Sequence, residues 1–237
     1  MKIFRGFFII ISALISLMLA SGCSDENKPP RINHIDLVLV IDKSGSMAGL
    51  ESDTIGGFNS MVAKQKKLGT RTDVTTVMFN HGQNFIHERK SIQEIGDLTS
   101  DDYTPGGMTA LLDSVGLAID RVSAYKGVKD KDNKVVFAII TDGKENSSRE
   151  YNKAGIKSLI EKKQQEGWDF VFLGANIDAI SEAGSIGISR DNVVKYKNSA
   201  KGVRANYDAV AAFTAESVSE NKTQNWKKEA VEDKSDN

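Results

Sequence analysis

Beyond residue 33, short and nearly continuous apolar runs alternate with stretches in which apolar residues recur every three or four positions. Ile35 to Ile41, Val135 to Ile140 and Phe170 to Leu173 are runs of the first kind, rich in branched and aromatic side chains. A strand with one face in water would alternate apolar and polar residues. A continuous run means both faces are covered, as in a parallel sheet between two layers of helices. The helical stripes lie between these runs. Ile55, Phe58, Met61 and Val62 predict one helix, and Leu111, Leu112, Val115, Ile119 and Val122 a second. Ser147, with Glu150 three residues on, has the form of a capping box and predicts a third helix running through Leu159 and Ile160. A short helix is expected from Asn176 to about Ala183. A last one is expected from about Ala200 to Ser219, with Val203, Tyr207, Val210 and Thr214 inward.

One pair of runs breaks this alternation. Val74 to Phe79 and Phe85 to Arg89 are separated only by Asn80-His81-Gly82-Gln83-Asn84, which is hairpin spacing. The expected fold is therefore α/β and Rossmann-like: a mostly parallel central sheet with one antiparallel edge strand, flanked by helices on both faces. No internal repeat is visible, and residues 34–220 suffice for one domain. From 221 to 237 the chain is charged and poor in large apolar residues apart from Trp226, which predicts a disordered tail.

The N-terminus follows different rules. Lys2 and Arg5 precede a 14-residue, almost wholly apolar stretch, Phe7 to Ala20, too short to span a bilayer and of the right size for a secretory signal. It runs into Leu19-Ala20-Ser21-Gly22-Cys23, which resembles a bacterial lipobox, with Ala20 where leucine is usual. Residues 1–22 are thus expected to be a lipoprotein signal peptide and Cys23, the sole cysteine, the lipidated residue. Ser24 to Asn33 is polar, contains two prolines and reads as a tether reaching at most about 35 Å. The expected location is the bacterial cell envelope, lipid-anchored and extracytoplasmic. The net charge of the 237-residue chain is −1, which gives no general attraction to nucleic acid or to an anionic membrane.

The candidate chemistry lies in three separate stretches. Asp42-Lys43-Ser44-Gly45-Ser46 follows the first apolar run, Thr109 ends Gly106-Gly107-Met108-Thr109 ahead of a helix, and Asp142 stands in Thr141-Asp142-Gly143. Parallel strands place Asp42 and Asp142 at one sheet edge, where open α/β sheets bind ligands. Two carboxylates and three hydroxyls, with no imidazole or thiolate, suit a hard divalent cation such as Mg2+ or Mn2+.

These motifs, in this order and context, resemble the von Willebrand factor A domain, and the resemblance covers about Ile32 to Ser219. It implies that Asp42, Ser44, Ser46, Thr109 and Asp142 form a metal-ion-dependent adhesion site. It further implies that an Asp or Glu carboxylate of a partner protein completes the metal's coordination, and that specificity resides in the loops Met47 to Asp53, Leu98 to Met108 and Gly143 to Tyr151. A binding protein rather than an enzyme is expected. The alternatives are a Mg2+-dependent phosphotransferase or hydrolase of the haloacid-dehalogenase type, or a structural component of envelope assembly. The phosphotransferase would need a second aspartate where Ser44 stands, and a lysine for which Lys144 is available. His34, His81 and His87 lack metal-ligand spacing and are expected at the surface.

Overall fold

Strand β1, His34–Asp42, is buried at every one of its positions because it is central in a six-stranded sheet of order β3-β2-β1-β4-β5-β6. The computed structural model describes residues 31–175, 178–197, 199–219 and 225–228. The expected signal peptide, the expected lipidation at Cys23 and the expected tether up to residue 30 lie outside the described residues. The other strands are β2 (Arg71–Phe79), β3 (Gln83–Ser91), β4 (Asn133–Thr141), β5 (Asp169–Ala175) and β6 (Val193–Tyr196). All neighbours pair in parallel except β2 with β3, the hairpin that closes one edge. The expected sheet class is therefore the observed one.

Helices α1 (Glu51–Lys66) and α5 (Ala200–Ser217) cover one face, where Ile35, Leu37, Leu39 and Ile41 meet Phe58, Met61, Tyr207 and Val210. Helices α2 (Leu111–Ser123), α3 (Lys153–Gln165) and α4 (Ala179–Ser185) cover the other, with Val38 and Val40 packed among Val115, Ile119, Ile156, Phe137 and Phe170. Successive β1 side chains thus enter opposite cores, which is why the run is apolar without alternation.

Three expectations need correction. Helix α3 does not open at Ser147: it begins at Lys153, and the side chain of Asn152 accepts from Gly155 N at 2.9 Å. The backbone N–H groups that a helix start at Ser147 would leave open are taken by two carboxylates instead. Glu145 accepts from Ser147 N and Ser148 N at 2.9 and 2.8 Å, and Asp113 accepts from the backbones of Arg149, Glu150 and Tyr151. Strand β6 was not among the predicted elements, being four residues long and interrupted by exposed Lys195. Trp226, within the expected tail, is buried against Phe213, with ring centroids 4.9 Å apart and planes at 77°.

Candidate metal centre

Strand order reverses between β1 and β4, and the crevice beyond their carboxyl ends is where an open α/β sheet places its ligands. Asp42 is the last residue of β1, and Asp142 directly follows β4. The loop after Asp42 is folded by its own side chain, since Ser44 N donates to Asp42 Oδ1 at 2.7 Å. It is tied to the turn before α2 by Gly45 N to Gly107 O (3.0 Å) and Gly106 N to Lys43 O (2.8 Å). Gly107 has φ 80°, and a Cβ there would lie 2.5 Å from His81 Nδ1, so both backbone and space call for glycine. Thr109 is held from the far side by Asn146, whose Oδ1 accepts from Thr109 N at 2.8 Å and whose own N donates back to Thr109 O at 3.0 Å.

These ties bring the five predicted side chains together. Ser44 Oγ and Ser46 Oγ are 3.1 Å apart, and Ser46 Oγ donates to Asp142 Oδ1 at 2.5 Å. Gly143 supplies the measure of convergence. A Cβ built on it would sit 2.8 Å from Thr109 Oγ1 and 3.4 Å from both Asp42 Oδ2 and Ser46 Oγ. Three oxygens from two loops thus surround one point on a third, which only a residue without a side chain leaves open. Asp42, Ser44, Thr109 and Asp142 are buried and Ser46 is exposed, so the cluster forms a cup with its mouth at Ser46.

The electrostatics of the cup also favour a cation. Burial is the largest influence on Asp42 and raises its carboxyl above the ordinary range; the Thr141 hydroxyl and the Ser44 N–H pull it back, and neighbouring Asp142 pushes it up again. Thr141 Oγ1 donates to Asp42 Oδ2 at 2.6 Å. Two carboxylates, three neutral hydroxyls and an open side fit a hard dication that keeps some water.

Sequence reasoning missed the supports. Thr141 lay inside a recognised motif, but its bond to Asp42 was not foreseen. Tyr103 donates its hydroxyl to Asp42 O at 2.6 Å from a loop 61 residues away, and no local pattern signals that.

The expected surface position of His34 is a further correction. It is buried, with Nε2 2.9 Å from Asp73 Oδ2, and its ligand atom, one from Asp36 and one from Asp73 lie within 4.8 Å of one another. This cluster sits at the opposite end of β1, eight residues or about 26 Å from Asp42. Arg89 binds both oxygens of Asp36 at 2.9 and 3.1 Å, and Arg71 Nη2 is 3.1 Å from Asp73 Oδ2. Two guanidinium groups already offset the two carboxylates, so the cluster is an ion-pair network and not a cation site. His87 is half-buried and stacks near Phe58, with centroids 6.1 Å apart; of the three histidines only His81 is exposed.

The fold has known counterparts. Proximal thread matrix protein 1 from the mussel byssus superposes with a TM-score of 0.57 at 17% identity, over 79% of this chain and 48% of that one. The vWF domain of the type V pili tip protein Mfa5 from Porphyromonas gingivalis gives 0.56 at 11% identity, over 80% of this chain and 98% of that one. The pilus adhesin SpaC from Lactobacillus rhamnosus GG gives 0.59 at 15%, over 80% of this chain and 32% of that one. This is the von Willebrand factor A fold. The chain spans about half of the mussel protein and about a third of SpaC, and identities this low speak to the fold alone. One structure of the mussel protein has zinc in its MIDAS motif. No protein-family model matches the chain, and no curated protein matches it in sequence. Among the described residues no helix is long and apolar enough to cross a membrane.

Proposed function

We propose that this is a lipid-anchored, extracytoplasmic binding protein that captures a partner protein through a divalent cation. Asp42, Ser44, Ser46, Thr109 and Asp142 would hold the cation, and an Asp or Glu side chain of the partner would complete its coordination. The observation that carries this reading is the convergence of Thr109 Oγ1, Asp42 Oδ2 and Ser46 Oγ around the open position at Gly143. The bound dication would supply a strong, directional attraction for an incoming carboxylate. The chain's own residues orient the donors: Tyr103 and Thr141 fix Asp42, Asn146 fixes Thr109, and the exposed Ser46 leaves a way in. The two carboxylates formally balance the dication, but both are buried, so its solvent side would carry only the neutral Ser46 hydroxyl and water that an incoming carboxylate could displace.

The pilus adhesin and pili tip protein among the structural counterparts support a binding role. Ser44 in place of the second acid of a haloacid-dehalogenase-type site disfavours the phosphotransferase alternative. The decisive test is affinity capture from envelope extracts in Mg2+ and then in chelator. Capture is expected in Mg2+ only, and is expected to be lost in Asp42→Ala and Thr109→Ala proteins that retain their circular dichroism. Equal capture by these variants in chelator would remove the site from the binding function.

A further inference from the structure

Beside the metal cup lies a groove of about 600 Å3, within the range of clefts that hold small ligands. Its walls come from the hairpin tip with His81, the turn with Met108, helix α2 with Leu117, and the loop carrying Ser147, Arg149 and Glu150. The groove neighbours the cup along the chain. Met108 immediately precedes Thr109, and the doubly bonded pair Thr109–Asn146 places Arg149 only three residues further on. That puts the Cα of Arg149 at most about 11 Å from that of Asn146.

Two features of the groove point to its occupant. The first is apolar: Met108 is 52% exposed, one of three large apolar side chains so exposed among the described residues, and Leu117 lines the same groove. The second is charge. Asp113 lines the groove, but its carboxylate is taken up by three backbone N–H groups at 2.8 to 3.0 Å. The Arg149 guanidinium has no ion pair among the described residues. Ser147 Oγ is buried there with no partner. Of the two wall carboxylates, Asp113 is held by those N–H groups and Glu150 neighbours Arg149 in the chain, which leaves Arg149 as the one wall cation to meet a carboxylate of an occupant. An anionic occupant with an apolar centre matches this arrangement.

We propose that the groove binds an extended acidic–apolar–acidic segment of the partner: the first carboxylate on the metal, the apolar side chain over Met108 and Leu117, and the second carboxylate on Arg149. This rests on the metal-bridged reading above and adds the class of sequence that the site selects.

The test uses the whole protein with methyl-labelled methionine and three probes: acetyl-Glu-Leu-Glu-amide, acetyl-Glu-Ser-Glu-amide and acetyl-Glu-Leu-Gln-amide. In Mg2+ the first probe should shift the Met108 methyl resonance and bind at least about tenfold tighter than the second. Arg149→Gln should erase the preference for the first probe over the third. Binding in Mg2+ without discrimination, or with Met108 unmoved, overturns the groove and leaves the metal site standing. No binding of any probe at millimolar concentration, with Mg2+ uptake confirmed by calorimetry, also overturns it. Discrimination that survives in chelator supports the groove and refutes the metal-bridged reading instead.

Discussion

The hydroxyl of Tyr103 donates to the main-chain carbonyl of Asp42 across 2.6 Å, inside a site where Tyr103 is 1% exposed. Burial raises the Tyr103 pKa far above its ordinary value, so the hydroxyl stays a donor at every ordinary pH. Tyr103→Phe leaves a buried carbonyl without that donor, which costs about 1–3 kcal/mol of stability. It also frees the end of β1, so Mg2+ affinity should fall along with the melting temperature. Melting in chelator and titration calorimetry with Mg2+ measure the two effects separately, and an unchanged Mg2+ affinity would reduce Tyr103 to a packing residue.

Gly143→Ala tests the cup directly. Its methyl would stand 2.8 Å from Thr109 Oγ1, inside the oxygen cluster, while the sheet below is untouched. Mg2+ affinity should drop by about tenfold or more, equivalent to about 1.4 kcal/mol, with little change in melting in chelator. Gly106→Ala is the control, because a Cβ there meets nothing within 4 Å. Equal Mg2+ affinity for both variants would count against the cation lying at this point.

At the other pole of the sheet, Arg89 has φ 45°, the only non-glycine residue with positive φ among the described residues, beside an irregularity in the β2–β3 register. This strained backbone delivers a guanidinium to Asp36, whose side chain is 3% exposed. Arg89→Ala would strand the buried carboxylate and should cost about 3 kcal/mol, and Arg89→Lys would recover only part because it lacks the two-pronged geometry. Mg2+ affinity should remain at the wild-type value in both, since the metal cup is about 26 Å away. Denaturant titration with and without Mg2+ checks both expectations.

His87 gives the fold an acid sensitivity. Burial is the main cause that lowers its pKa, Lys90 adds to it, and Asp102 opposes it. The unfolded chain therefore takes up a proton before the folded one does. The contribution of His87 is present above about pH 6.5 and is lost as pH falls from there toward the depressed folded value. Stability measured across that interval should fall with decreasing pH, and His87→Gln should flatten the slope. An equally steep slope in the variant would assign it to other groups.

What the chain discloses about itself depends on how far apart the interacting residues lie. β1 and β4 are legible because coverage on both faces keeps Leu37 to Ile41 and Val135 to Ile140 wholly apolar. The five cup residues are legible because they lie in three short stretches that end a strand or lead into a helix. β6 escapes notice because an edge strand of four residues with outward Lys195 carries too little pattern. The start of α3 misleads because Ser147 and Glu150 imitate a cap, while the carboxylates that occupy this loop come from Glu145 and, across the fold, Asp113. His34 and Asp73 meet only through the parallel register of β1 and β2, which pairs Asp36 with Asp73 across 37 positions of sequence.

β1 enters from the N-terminal segment at His34 and ends in the cup at Asp42. A pulling force between that segment and a captured partner would therefore run along the strand. β1 is laddered in parallel to β2 along all nine of its residues and to β4 along eight. Such a load would strain both ladders in shear, all their hydrogen bonds at once, where a peeling load would break them one at a time. With the anchor and the capture site placed as proposed, these opposite ends would make the domain a mechanically strong link.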